Sequence, residues 1–255
     1  MSPTTPTQSG LKKLPGKKKP PTLTLLRKKI VAASTPERAA GSTRFFKTGK
    51  GEYGEGDKFL GLDAAQMKAL AREARGLSLE DTLTLLHSGW HEERAIALLI
   101  LVDAYERGTP ADQKAIRRAY LANTKYVNNW DLVDASAAAI VGAGIAADGT
   151  KLIERLAESE SLWERRIAMV ATHYATRRGD LAPALLIAER LLGDKHDLMH
   201  KAVGWMLREV GKRDADALRG FLKKHAPTMP RTALRYSIER FTPEERTRWM
   251  SRPSK

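Results

Sequence analysis

The sequence predicts an all-α protein built as an α-solenoid of about five to six helical-pair repeats, with one helix of each pair facing a concave surface. Two observations carry this prediction. Apolar residues recur at helical spacing through most of the chain, and no convincing alternating strand pattern appears. A pattern of charged and aromatic residues also returns every 34 to 36 residues, a period typical of repeats with two helices per unit.

The chain begins with a basic, Pro- and Lys-rich arm, residues 1–21, which has almost nothing to bury and which we expect to be disordered. Residues 1–30 contain eight Lys and Arg and no acid, which leaves +6 of the net charge of +14 for the rest. The arm lacks the apolar stretch of a secretory signal. A solubilising tail is the favoured interpretation, and a nucleic-acid tether is the alternative.

The repeat domain is expected to span residues 22–255. A first short helix begins near Thr22, and a second follows the start signal at Thr35 and Pro36. Asp63 and Ser78 are predicted N-caps of the next two helices. These and the later helices are expected at 64–75, 79–87, 91–107, 111–123, 129–145, 150–158, 162–178, 182–192, 197–211, 215–225, 230–240 and 243–251.

Composition limits the classes of function. Cysteine is absent, which suits a reducing cytoplasm and rules out disulfides and thiolate metal sites. The longest strictly apolar run, 95–102, has eight residues, against the ~18 needed to span a bilayer. We therefore expect a cytoplasmic protein, associated with the nucleoid if the source is bacterial, and no membrane partner. The basic charge favours a polyanion, with nucleic acid as the first candidate.

A glycine-rich stretch at 49–58 contains the spacing G-x-G-x-x-G of dinucleotide-binding loops. That fingerprint requires a preceding strand, whereas here a helix precedes it, and three acids within the stretch would repel phosphate. We therefore predict no nucleotide cofactor. The stretch is interpreted as a loop at the edge of a groove, contributing Tyr53 and Lys58.

Two histidine pairs have the i,i+4 spacing of helical metal ligands, namely His87 with His91 and His196 with His200. Each pair lacks a clear third ligand, and zinc sites need three or four in a set geometry. We predict surface or capping histidines and no metal site.

The repeat brings distant residues into register. One repeat position is occupied by Arg94, Trp130, Arg166 and Lys201, and the position one turn later by Leu98, Asp134, Val170 and Trp205. Equivalent positions of a solenoid line one face, so Trp130, Asp134, Arg166 and Trp205 are expected to share a wall. A carboxylate between two indole faces and a guanidinium suits a developing sugar cation beside a phosphate. By contrast, Trp90 and Trp163 are interpreted as packing between repeats.

Several motifs resemble the DNA alkylation repair family, the AlkD-like glycosylases, over roughly residues 24–250. The motifs are Arg44-Phe45-Phe46-Lys47-Thr48-Gly49, Tyr53-Gly54-Glu55-Gly56-Asp57-Lys58-Phe59-Leu60-Gly61, Asn128-Asn129-Trp130-Asp131-Leu132-Val133-Asp134, Trp163-Glu164-Arg165-Arg166-Ile167-Ala168 and Lys201-Ala202-Val203-Gly204-Trp205-Met206-Leu207-Arg208-Glu209. The resemblance implies a HEAT-like α-solenoid whose basic groove holds duplex DNA. It also implies excision of cationic N3- or N7-alkylated purines, without insertion of the base into a pocket.

Matched by motif, the resemblance implies Asp134 as the catalytic carboxylate and Trp130 and Trp205 as the groove tryptophans. The groove arginine falls on Arg166, which the 36-residue phase favours, with Arg165 as the neighbouring alternative. Further DNA contacts are expected from Arg94, Lys201, Tyr53 and Lys58.

The leading hypothesis is a monomeric, cofactor-independent DNA glycosylase of base excision repair that acts on alkylated duplex DNA. Non-catalytic relatives that bind DNA structures belong to the same family, so a DNA-structure binder is the alternative. A protein-binding scaffold is a third, because fold alone does not fix function.

Overall fold

A computed structural model describes residues 22–251. The predicted arm, residues 1–21, lies outside these residues, as do residues 252–255. Regular structure within 22–251 is helical, and extended backbone pairs at one isolated bridge, between Lys58 and Trp90. The predicted all-α, solenoid-like fold is confirmed.

Helices alternate between two rows. The inner row consists of α5 (His91–Arg107), α7 (Trp130–Ile140), α10 (Leu162–Ala171), α13 (Asp197–Arg213) and α15 (Arg231–Ser237). The outer row consists of α6 (Pro110–Ala122), α9 (Lys151–Ala157), α12 (Ala182–Leu191), α14 (Ala215–His225) and α16 (Pro243–Met250). Each inner helix packs on the next inner helix and on its outer neighbour, which is the arrangement expected of stacked helix pairs.

Four helices precede these rows, and two single turns interrupt them. The first four are α1 (Leu23–Ala32), α2 (Pro36–Phe45), α3 (Ala64–Glu73) and α4 (Leu79–Leu86), and the single turns are α8 (Ile145–Asp148) and α11 (His173–Thr176). The predicted caps are confirmed: the Asp63 side chain accepts from the Gln66 N–H, and Ser78 accepts from the Asp81 N–H. Loop 46–63 (residues 46–63) joins α2 to α3.

The helix predicted at 129–145 ends at Ile140, followed by a 3-10 turn and α8. Gly142 allows close packing at this break, because a Cβ there would lie 2.1 Å from the carbonyl oxygen of Ala171. The helix predicted at 162–178 is likewise interrupted at Thr172, and the one predicted at 230–240 ends at Ser237. Side-chain hydroxyls accompany both breaks, since Thr172 and Ser237 each donate to a carbonyl three residues back.

Segment Trp130–Asp148 is 19 residues long with a mean hydropathy of 1.4, so its length and composition alone would allow it to cross a membrane. Half of its most apolar window is buried inside the protein. Helix α7 packs between α5 and α10, and its Asp134 forms an ion pair with Arg166. These contacts are those of a core helix.

Candidate functional site

A cleft of about 870 Å³ runs along the inner row. Its lining comes from loop 46–63 and the end of α2, from α7 and α10, and from α13, α15 and the segment before α13. The lining residues are Phe45, Lys47, Gly51, Glu52, Tyr53, Trp130, Arg166, Lys195, His196, Asp197, Leu198, Lys201, Trp205, Arg208 and Tyr236. Trp130 and Trp205, 75 residues apart, therefore share one cavity, as the repeat register predicts.

Asp134 lies beside this cleft, in a bidentate ion pair with Arg166. Nε of Arg166 donates to Oδ1 of Asp134 at 2.9 Å, and Nη2 donates to Oδ2 at 2.8 Å. The third guanidinium nitrogen donates to the Leu198 carbonyl at 2.7 Å, which ties the pair to the start of α13. The Arg166 side chain is 5% exposed and that of Asp134 is 21% exposed. The Asp134 side chain thus stays partly exposed while the orientation of its carboxylate is fixed.

Burial and ion pairing act in opposite directions on this carboxyl. Burial raises the pKa of Asp134, the Arg166 guanidinium lowers it, and the negative charge of Asp131 raises it again, with a net increase above the ordinary value. An open carboxylate with a raised pKa beside a cleft is a typical functional-site feature.

Aromatic side chains form the wall next to Asp134. The Trp130 indole stacks on Phe46, with ring centroids 5.5 Å apart and planes 28° apart, and Phe45 meets Trp130 edge-on at 5.9 Å. Phe45 is 64% exposed at the cleft. Trp205 donates its indole N–H to Glu209 at 3.2 Å and contacts the His173 ring at 5.8 Å. Both tryptophans are half-buried and oriented by neighbours, which leaves aromatic surface for a ligand.

Buried charges hold the start of α7. We call Asp57, His91, Arg94, Asn129 and Asp131 the Asp57 cluster. His91 contacts Asp57 through Nδ1 at 2.9 Å and Asp131 through Nε2 at 2.8 Å, and Arg94 pairs with Asp57. The Asn129 amide donates to Asp57 at 3.2 Å, and its carbonyl oxygen accepts from the Trp130 N–H at 2.8 Å. The cluster therefore positions Trp130.

His91 is charged in this setting. Burial lowers its pKa, but hydrogen bonds and negative charge from Asp131 and Asp57 outweigh burial and raise the pKa to about 9. The imidazolium side chain is 2% exposed, and both of its ring N–H groups donate to carboxylates.

Acidic side chains of loop 46–63 accept hydrogen bonds from the loop's own backbone N–H groups. Glu52 accepts from the Gly49 N–H and Glu55 from the Gly51 N–H, each at 2.8 Å. A bound dinucleotide phosphate would need these N–H groups to be free, whereas here they already donate to carboxylates of the loop. The geometry therefore agrees with the predicted groove-edge loop. Near the end of the loop, the buried Glu92 accepts from three consecutive backbone N–H groups of residues 60–62, at 2.9, 2.7 and 3.3 Å.

The predicted DNA-contact residues fall in different places. Arg166, Lys201 and Tyr53 line the cleft. Arg94, expected at its surface, is buried with its guanidinium on Asp57, because it sits at the first turn of α5 beneath the loop. Arg165 faces away and pairs with Asp194 at 2.6 Å. Lys58 is exposed outside the cleft lining. The Arg166 side chain is largely buried and paired with Asp134, whereas the sequence pattern suggested a contact with a phosphate.

Some cleft residues were not singled out by the sequence reasoning. Lys47, Lys195 and Arg208 supply positive charge, and Tyr236 adds a ring. Tyr236 follows Arg235, which lies 34 residues after Lys201, so the repeat period could have indicated it. Lys47 and Arg208 stand in the motifs that resemble the family, whereas Lys195 carried no signal beyond the general basicity of the chain.

The structure corrects the predictions for Trp90 and His91. Trp90 is 40% exposed, because its backbone pairs with the loop while its ring lies outside the core. His91, expected at the surface or as a cap, is buried. His196 does cap α13, accepting from the Leu198 N–H, and His200 contacts the Asp194 carbonyl oxygen at 2.6 Å. Residues 22–251 contain no cluster of three or more potential metal ligands.

Fold and cleft together define a class: a helical-repeat protein whose inner row presents two indoles and several cations in one cavity, with a fixed carboxylate beside it. The model of the DNA alkylation repair enzyme family matches residues 26–241. The chain belongs to that family.

A solved structure described as a predicted DNA alkylation repair enzyme from Enterococcus faecalis has the same fold. It superposes with a TM-score of 0.63 at 18% identity, over 82% of this chain and 97% of that chain. A comparison with curated proteins gave no match.

Proposed function

We propose that the protein is a DNA glycosylase that hydrolyses the N-glycosidic bond of cationic alkylated purines in duplex DNA, with N7-alkylguanine and N3-alkyladenine as the substrate class. The abasic product would enter base excision repair. One observation carries the proposal: the partly exposed Asp134 carboxylate is fixed by Arg166, one helical turn from Trp130 and beside the cleft that Trp130 shares with Trp205.

The chemistry requires little from the enzyme beyond electrostatics. An alkylated purine of this class already carries positive charge, so the electron pair of the breaking C1′–N bond neutralises the base as it leaves. A general acid is therefore unnecessary. The sugar becomes an oxocarbenium-like cation, and water adds at C1′ with loss of a proton. A carboxylate aimed at C1′ stabilises the cation and orients the water.

The two tryptophans suit the same transition state. Indole faces attract a cation through the ring quadrupole. Trp130 is fixed by Phe46 on one side and by the Asn129 cap, and Trp205 is fixed by Glu209, so neither has to reorganise when charge develops. Lys47, Lys195 and Lys201 line the same cavity and could receive the phosphates that flank the lesion.

A second candidate function, a non-catalytic binder of DNA structures, is favoured by the closed geometry of the ion pair. Both oxygens of Asp134 accept from Arg166, and a purely structural pair would look the same. In that case the cleft would bind DNA through its lysines without cleaving a glycosidic bond.

Base release separates the two candidates. Duplex DNA containing N7-methylguanine and N3-methyladenine is incubated with excess protein, and released bases are measured after DNA binding has been confirmed. Release that exceeds the spontaneous rate and is abolished in Asp134→Asn supports the glycosylase. Binding without any release establishes the binder.

A further inference from the structure

Loop 46–63 forms one wall of the cleft. Lys47, Gly51, Glu52 and Tyr53 all line the cavity. Tyr53 reaches farthest: its ring meets Trp163 of α10 edge-on, with centroids 6.3 Å apart and planes at 75°. The loop thus extends from the N-terminal helices past Trp130 to a helix that begins more than 100 residues later.

The wall is held rigidly at its base. Asp57, four residues after Tyr53, is anchored by His91, Arg94 and Asn129. Directly after Tyr53, the loop packs tightly on its own first residue: a Cβ on Gly54 would lie 2.5 Å from the Phe46 carbonyl oxygen. The Gly54 N–H also donates to the Lys47 carbonyl at 3.2 Å. A substituent that met Tyr53 would therefore push against a fixed loop.

The position of the alkyl group on the purine decides whether it meets this wall. The N3 atom of adenine lies on the minor-groove edge, close to the sugar C1′, whereas N7 lies on the major-groove edge. Asp134 must approach C1′ for excision, so an N3 substituent shares the space of the cleft. An N7 substituent projects into the opposite groove.

We propose that Tyr53 is a specificity-determining residue that limits the size of the N3 substituent the protein can excise, while N7 substituents escape this limit. The inference rests on the proposed glycosylase function. It assigns Tyr53 a steric role, in which the ring itself excludes bulk and the hydroxyl, which is hydrogen-bonded to Trp130, takes no part in the discrimination between substituents.

The test uses DNA treated with a methylating agent and DNA treated with a benzylating agent, each of which yields both N3-adenine and N7-guanine adducts. Released bases are quantified separately by mass spectrometry under single-turnover conditions. Tyr53→Ala is expected to raise the ratio of N3-benzyladenine to N3-methyladenine release about tenfold or more, the effect of relieving a steric clash of a few carbon atoms. The corresponding N7 ratio should stay unchanged.

Two variants serve as controls. Tyr53→Phe keeps the ring and should keep the wild-type N3 ratio, and Tyr126→Ala removes a tyrosine that lies outside the cleft lining. An unchanged N3 ratio in Tyr53→Ala, or an equal change for N3 and N7 adducts, would overturn the inference alone. If the wild-type protein released neither methylated base, the proposed function would fail first and the inference with it.

Discussion

Arg166 grips both carboxylate oxygens of Asp134, with Nε–Oδ1 at 2.9 Å and Nη2–Oδ2 at 2.8 Å. The two residues belong to consecutive inner helices, 32 positions apart. Because the Arg166 side chain is 5% exposed, removal of either charge leaves the other without a partner in a poorly solvated place. Catalytic and structural effects of Asp134 are therefore coupled and must be measured together.

Asp134→Asn removes the charge and keeps the shape. We expect the free energy of unfolding to fall by about 3 kcal/mol, the typical cost of an uncompensated buried charge. We also expect single-turnover excision per folded molecule to fall by ~10²–10³, because one preorganised electrostatic group is lost. Excision and a thermal melt on the same preparation measure both effects. Asp103→Asn, which removes the charge from two Asp–Arg pairs outside the cleft, should lower stability modestly and spare excision. Folded Asp134→Asn protein with full activity would contradict the catalytic role.

Arg166→Lys keeps the positive charge but loses the two-pronged contact with Asp134. We expect excision to fall by ~10-fold or more, while affinity for undamaged duplex changes little, since the guanidinium serves Asp134 rather than a phosphate. Lys201→Ala is the matched control. It should weaken binding to damaged and plain duplex alike, reduce the dependence of log affinity on log salt by about one, and spare excision at saturating protein. If Arg166→Lys instead lowered mainly the affinity for DNA, the result would support a contact between Arg166 and a phosphate.

The pH dependence of excision follows from the pKa of Asp134, which burial raises against the opposing effect of Arg166. Only the deprotonated form stabilises the sugar cation, so activity is present above this pKa and is lost as pH falls through it. Because the pKa is raised, the loss begins at a higher pH than for an ordinary aspartate, whose pKa is about 3.9. Single-turnover rates across pH 4–8 on stably folded protein test this expectation. If the loss of activity at low pH persisted unchanged in Asp134→Asn, a group other than Asp134 would be responsible for it.

The stability of the protein should depend on pH through His91. Its folded-state pKa of about 9 lies above the unfolded value of about 6.5, so the folded state binds the proton more tightly. The stabilisation, on the order of 3 kcal/mol, is fully present below about pH 6.5 and is lost as pH rises through 9. Urea unfolding at pH 6, 7.5 and 9.5 measures it. His91→Gln should flatten this profile, whereas His87→Gln, at an exposed histidine, should leave it intact. Equal slopes in the wild type and His91→Gln would refute the assignment.

Much of the architecture could be predicted from the sequence because structural repeats appear in it as a regular spacing of similar residues. The 34- to 36-residue spacing places Trp130 and Trp205 in one cavity, and the side-chain caps at Asp63 and Ser78 mark helix starts. Helix ends were less predictable. The break after Ile140 depends on the approach of Gly142 to Ala171, a contact between repeats that local propensity cannot express.

The site was only partly predictable for a similar reason. Register correctly brought Arg166 to Asp134, yet the same register suggested a surface role for Arg94, which is buried. What distinguishes the two arginines is the loop above α5, whose Asp57 reaches back to Arg94. Periodicity describes the repeats, and it carries no information about an irregular segment folded over them.

The Asp57 cluster also affects which parts of the protein unfold together. In most repeat proteins each unit contacts only its neighbours, so terminal units can unfold one at a time. Here Asp57 is bonded to Asn129, 72 positions further along, and through His91 to Asp131. Unfolding of the N-terminal segment alone would take Asp57 away from the buried side chains of His91 and Arg94 in α5. We therefore expect amides from α2 to α7 to exchange hydrogen as one cooperative block, while α14 to α16 fray independently at the other end.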